Sequence, residues 1–165
     1  MFAQLPYTRN KYKEVLIMGF FLDTSDLKNN EIFLKLHETR EANLELRYVE
    51  SYVFKICKTD GTEVGICDLR IGNTQGLFFG GNIGYAVNEE HRGNHYAGKA
   101  CLLLFELARR HGLTYLYITC SPENIASKRT CEFAGGIMIA EVLLPTDTEM
   151  YEEGARRKCV YQFNL

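Results

Sequence analysis

A chain of 165 residues with 46% hydrophobic and 24% charged side chains has the size and composition of one globular domain with a sizeable core. Its 19 basic and 21 acidic residues give a formal charge of −2, which excludes the strongly basic footprint of a dedicated nucleic-acid or anionic-membrane binder. Three prolines argue against a disordered chain, and no apolar run reaches the roughly 18 residues of a spanning helix.

At the N-terminus, the apolar run Val15 to Leu22 follows Arg9, Lys11 and Lys13, which imitates a signal peptide. Asp23-Thr-Ser-Asp26 comes next, without a small-x-small cleavage site, so the run reads as a buried element of the domain. Residues 1–30 are ambiguous, and Lys11 to Leu22 fits a helix or a strand. Glu31 to His37 places Ile32, Leu34 and Leu36 on one side of a strand. Thr39 to Glu50 is polar and irregular, with room for a short helix. Tyr52 to Lys58 and Thr62 to Ile71 form a hairpin around Thr59-Asp60-Gly61, an Asp-Gly turn signal. A glycine-rich connection ending in Gly80-Gly81 leads to a strand over Asn82 to Val87.

The second half alternates. Gly98 to His111 is the clearest helix, with Ala100, Cys101, Leu103, Leu104, Leu107 and Ala108 on one broad face and Gly112 as its stop. Thr114 to Cys120 is a strand, and Asn124 offers a cap for a helix from Ile125 to Ala134, closed by Gly135-Gly136. Ile137 to Leu144 is a strand, Pro145 to Gly154 an acidic loop, and Lys158 to Leu165 a terminal strand. Six cysteines (57, 67, 101, 120, 131 and 159) include no C-x-x-C and no zinc-type spacing. They read as small hydrophobes of a reduced cytoplasmic interior, with no metal site.

Chemistry enters between the strand at Val87 and the long helix, at Glu89-Glu-His-Arg-Gly-Asn-His-Tyr-Ala-Gly98. A small-residue loop feeding a helix start presents unpaired N–H groups and the positive end of the helix dipole, which together bind anions. Arg92 and Lys99 can add charge-assisted contacts. The loop lacks the G-K-[ST] of a P-loop and the G-x-G-x-x-G of dinucleotide folds.

Arg92-Gly-Asn-His-Tyr-Ala97 resembles the [RQ]-x-x-G-x-[GA] pyrophosphate loop of the GNAT superfamily of N-acetyltransferases, with His95 in place of the middle glycine. Asn124-x-x-Ser127-x-x-x-Cys131-x-x-x-Gly135 is similar to the family's N-x-x-S-x-x-x-Y-x-x-x-G, with Cys131 in the tyrosine place, and Ile83-Gly-Tyr85 resembles its fourth-strand I-G-Y. Asp68 to Gly72 and Gly80 to Tyr85 look like one bacterial branch of unassigned substrate.

The resemblance implies an α+β fold over residues 1–165: a mostly antiparallel mixed sheet of six to seven strands, splayed between the fourth and fifth and flanked by helices. Residues 1–30 would be an N-terminal extension, and residues 80–136 would form the acyl-CoA-binding core. Acetyl-CoA would be the co-substrate and an amine the acceptor, attacked directly in a ternary complex. Pantetheine would lie along Tyr85, Ala86 and Val87. Backbone groups of Arg92, Gly93, Asn94, His95, Tyr96, Ala97, Gly98 and Lys99 would hold the pyrophosphate, and Asn124 and Ser127 would approach the thioester.

Neutralising a lysine-like amine of pKa about 10.4 at pH 7 costs about 4.6 kcal/mol, so a base or a desolvated site is required. Relatives often place a glutamate where Asn82 stands, and an amide cannot serve. Asp68, His91, His95 and Glu50 remain as candidates. Cys131, in the tyrosine place, would be either the general acid or a small buried residue of the inner helix face. Asp147, Glu149, Glu152 and Glu153 would attract a cationic amine or form a solvated loop. Arg156-Arg157-Lys158 reads as a surface run, and Phe78, Phe79 and Tyr151 as core or acceptor-pocket residues. A small-molecule amine is favoured over a protein acceptor, with no nucleic-acid or membrane partner, in a monomer or homodimer. The competing readings are a non-catalytic acyl-CoA sensor or scaffold of the same fold, and an unrelated nucleotide-binding α/β enzyme.

Overall fold

The computed structural model describes residues 20–165. The open segment Lys11 to Leu22 therefore falls outside the described residues except at its end, where Phe21 and Leu22 pack against the core. The elements run β1 (Ile32–Arg40), β2 (Ser51–Lys58), β3 (Glu63–Arg70), α1 (Gln75–Gly80), β4 (Ile83–Val87), α2 (Tyr96–Arg110), β5 (Tyr115–Cys120), α3 (Ile125–Phe133), β6 (Ile137–Leu143), α4 (Glu149–Glu152) and β7 (Arg157–Asn164).

They form two sheets, β1-β2-β3-β4 and β5-β7-β6, and every ladder in them is antiparallel. The expected splay between the fourth and fifth strands is thus a complete parting. One side chain spans its closed end. The Asn82 N–H donates to the Tyr117 carbonyl at 2.7 Å, and its Oδ1 accepts from the Tyr117 N–H at 2.9 Å. Its Nδ2 donates to the carbonyls of Arg70 and Gly72 at 3.1 and 2.9 Å. Fully buried, Asn82 has its amide satisfied on every side.

Strand alternation sorts each sheet into two faces. Cys67, Leu69 and Ile83 from one sheet and Leu116, Ile118, Tyr161 and Phe163 from the other face a common core. The apolar stripe of α2 enters that core, burying Leu104 and Leu107 completely at about 1.5–3 kcal/mol each. Phe105 of α2 meets Phe163 of β7 at 5.1 Å, so the helix holds both sheets. It ends as its sequence dictates: Gly112 adopts φ +79°, and the Leu113 N–H returns to the Ala108 carbonyl.

Several boundaries differ from the sequence expectation. Leu36 keeps the register of Ile32 and Leu34, opposite Phe54, but is 43% exposed, at the last regular position before the shift between Leu36 and Glu38. No helix forms between β1 and β2, where the Asn43–Tyr48 bridge closes a turn. The glycine-rich connection contains α1, nucleated by Thr74 capping the Leu77 N–H, by burial of Leu77 and by Phe78 set edge-on to Tyr117 at 5.3 Å. The acidic loop contains α4, capped by Thr148 with Glu149 and Glu152 in its first turn, where the dipole favours them. Among the described residues no helix is long and apolar enough to cross a membrane.

Candidate active site

Between β4 and α2 the chain makes a one-turn 3-10 helix over Glu89–His91 and then two left-handed residues, Gly93 at φ +86° and His95 at φ +57°. Asn94 braces the turn through Nδ2 to the His91 carbonyl at 3.0 Å. A left-handed histidine costs roughly 1–2 kcal/mol relative to glycine. Its ring is held in return: the imidazole stacks on Phe133 of α3 at 4.6 Å with 9° between the planes. Phe133 fits there because Gly98 has no side chain; a Cβ at that position would lie 2.3 Å from the ring. The missing middle glycine is therefore replaced by a histidine supported from α3 by Phe133, a residue that no sequence motif announces.

This path leaves the first turn of α2 open. Among the described residues, no backbone or side-chain acceptor takes the N–H groups of Tyr96, Ala97 and Gly98. They open onto a cleft of about 900 Å³ between the parted strands, walled by Tyr85, Ala86 and Val87 on one side and Ile118, Thr119 and Cys120 on the other. Asn124 and Ser127 also line it. Asn124 caps α3, its Oδ1 accepting from the Ser127 N–H at 3.0 Å. Arg92 lines the cleft and donates through Nε to the Val87 carbonyl at 3.2 Å. Lys99 does not extend the anion loop with its side chain, which forms an ion pair with Glu31. The cleft is lined by Arg70, Arg92, Arg129 and Lys158 and by no carboxylate, in a chain whose net charge is −2.

Tyr85 reaches from β4 to α3. Its hydroxyl lies 2.8 Å from Ser127 Oγ and 3.9 Å from Cys131 Sγ. Cys131 is fully buried behind that hydroxyl and does not line the cleft, and burial pushes its thiol up to about 12. Burial also raises Tyr85 well above the usual phenol value. The sequence signal for Tyr85 pointed to its backbone; the hydroxyl's placement needed the fold.

Of the base candidates, Asp68 does not itself line the cleft but stands on β3 directly across from Gly84 of β4, which does. Its Oδ1 sits 2.4 Å from where a Gly84 Cβ would be, so a β3 carboxylate occupies the space of a β4 side chain. Burial pushes the Asp68 carboxyl above its ordinary value, against the pull of the Arg70 guanidinium at 3.1 Å. Arg70 is itself fixed, donating through Nη1 to the carbonyls of Gly80 and Gly81 at 3.2 and 3.1 Å. His91 and His95 line the cleft at the turn that leads into α2. Glu50 lies near His111, past the far end of α2.

The acidic stretch is not brought to the cleft: none of Asp147, Glu149, Glu152 and Glu153 lines it. Tyr151 lies under Arg156 at 3.9 Å, and Phe78 packs on Tyr117 and Phe79. The basic run is split rather than uniformly superficial. Arg157 pairs with Glu141 at 2.6 Å and Glu123 at 3.8 Å, whereas Lys158 turns into the cleft lining.

The acetyltransferase (GNAT) domain model matches residues 15–137. No protein of curated function matches the chain significantly. Among solved structures, a ribosomal-protein alanine acetyltransferase from Vibrio fischeri aligns at TM-score 0.55 and 16% identity, covering 69% of this chain and 61% of that one. The microcin self-immunity acetyltransferase MccE, in complex with acetyl-CoA and AMP, aligns at 0.54 and 16%, covering 70% and 61%. An aminoglycoside acetyltransferase in complex with coenzyme A aligns at 0.53 and 17%, covering 69% and 66%. This chain thus matches less than two thirds of the length of each.

Proposed function

This chain belongs to the GNAT family of acetyltransferase domains, and we propose that it transfers an acetyl group from acetyl-CoA to an amine. One observation carries the reading: unclaimed N–H groups at the start of α2 open onto a strand gap whose charged lining is entirely cationic. That donor set suits a diphosphate. The solved relatives in complex with acetyl-CoA and coenzyme A support the same ligand.

Acetyl-CoA supplies the activated thioester; the chain's residues do the rest. The N–H groups of Tyr96, Ala97 and Gly98, with Arg92, hold the diphosphate. Tyr85, Ala86 and Val87 offer an unpaired strand edge to the amides of the pantetheine arm. Asp68 takes a proton from the amine as its nitrogen bonds to the carbonyl carbon and the C–S bond breaks. The Tyr85 hydroxyl, with Ser127 and Cys131 around it, returns a proton to the leaving sulfur, so that one proton in all moves from nitrogen to sulfur.

Free-thiol release from acetyl-CoA across a panel of amines tests the transfer. Release with at least one acceptor is expected, and coenzyme binding without release across the panel identifies the non-catalytic sensor instead. A mutant pair tests the acid. Tyr85→Phe is expected to lower kcat about 100-fold while coenzyme affinity stays within a few-fold, since general acids contribute 10²–10⁴. Cys131→Ala, which touches only the far side of the hydroxyl, is expected to cost less than about tenfold on the same grounds. The reverse ranking makes the thiol the donor.

A further inference from the structure

The cations of the cleft are divided by origin. Arg92 precedes α2 and Arg129 lies on α3, both in the helical layer that packs against the core face of the sheets. Arg70 and Lys158 come from strands, and each alternates with a residue of that core face, Leu69 for one and Cys159 for the other. Alternation therefore sets both on the opposite face of the sheets. Asp68 shares that face with Arg70, two residues along β3. Arg92 and Arg129 stand beside the phosphate loop, but a diphosphate held there gives no employment to Arg70 and Lys158.

Their states differ. Arg70 is spent on Asp68 and on the carbonyls of Gly80 and Gly81. Lys158 has no carboxylate partner among the described residues: Glu123 and Glu141 pair with Arg157, which alternation sets on the other face of β7. An unneutralised ammonium at the mouth of a site that must receive an amine repels a simple cationic amine such as a polyamine. It favours an amine that brings its own negative charge.

We infer that the acceptor is a small amine bearing an acidic group, as a free amino acid does, with Lys158 holding that group on the face where Asp68 meets the amine. This rests on the acetyl-transfer reading. It also replaces the expectation of an acidic acceptor lure with a cationic one.

The test compares free amino acids, their carboxamides and spermidine as acceptors for the full chain with acetyl-CoA, by thiol release. For at least one amino acid, kcat/KM is expected to exceed that of its carboxamide by about 10–100-fold, the effect of one charge-assisted contact. Lys158→Gln is expected to erase that preference by raising the amino-acid KM, with the KM for acetyl-CoA unmoved, and Lys158→Arg to restore most of it. Arg109→Ala, removing an exposed charge at the far end of α2, controls for net charge. Equal or faster acetylation of carboxamides or spermidine overturns the inference while leaving acetyl transfer standing. A rise in the acetyl-CoA KM alone in Lys158→Gln also overturns it, making Lys158 a coenzyme phosphate ligand. Absence of coenzyme binding in a thermal-shift titration overturns the acetyl-transfer reading itself, and the inference with it. The amino-acid and carboxamide comparison on the unmutated chain decides the matter even if a Lys158 variant fails to fold.

Discussion

Asn82→Ala is expected to lower the unfolding free energy by about 4 kcal/mol, because it strands the buried carbonyls of Arg70 and Gly72 and the N–H of Tyr117 at once, at roughly 1–3 kcal/mol for each orphaned group. Few single substitutions reach that size, and those that do break a buried network. Asn82→Asp separates the network from mere volume. It keeps the shape but sets an oxygen against the carbonyls that Nδ2 now serves, so it too should be strongly destabilised. Urea denaturation at neutral pH reads both. A midpoint unchanged in Asn82→Ala would mean that the common core and the main-chain bond from Asn82 to Tyr117 join the two sheets without the side chain. The same geometry explains why Asn82→Glu is no route to a base at the position where relatives often carry one: the site is sealed, and a longer, charged side chain has neither room nor water.

The second large effect is catalytic. Asp68→Asn is expected to reduce kcat/KM about 10²–10⁴-fold, the span of general-base contributions, without loss of stability at neutral pH. The sign follows from linkage. Burial raises the folded-state pKa of Asp68 above its unfolded value. The folded chain therefore binds that proton more tightly, and the resulting stability is full below the unfolded value and fades as pH rises through the folded one. Asparagine is free of that loss, so the variant should be at least as stable as the parent on the alkaline side. Activity runs the other way. The base must be ionised, so kcat/KM should rise with pH through the same raised value. Arg70→Gln, removing the guanidinium that pulls Asp68 down, should move this limb to higher pH. An Asp68→Asn enzyme within threefold of the parent would pass the base role to His91 or His95.

The parts legible in the sequence are those fixed by neighbours along the chain. The stripe from Ala100 to Ala108 with Gly112 behind it, the Asp60-Gly61 turn and the Asn124 cap each specify themselves within a few residues, and each stands where expected. α1 was not legible because its residues, Gly76 and Gly80 among them, are poor helix formers; Leu77 and Phe78 find their reasons only in the far-off core and Tyr117. The anion loop was legible as a pattern, whereas the residue that permits its histidine, Phe133, is set 38 positions away in the chain and hidden in an ordinary helix. Asn82 could be read as unfit for proton transfer, but its four partner groups come from two separate stretches, residues 70–72 and Tyr117. Lys158 was masked by its basic neighbours, and only strand alternation, which turns it into the cleft lining while Arg157 pairs on the other face, singles it out.

The parting of the strands has a consequence for the protein in bulk. Beyond Asn82 and Tyr117, β4 and β5 each turn toward the other a bare rim of amides and carbonyls with no ladder to occupy it. Such rims are templates on which foreign chains stack and clump. A molecule lodged lengthwise between them would occupy both rims at once, so coenzyme A is expected to suppress aggregation of the protein, read by light scattering with and without it.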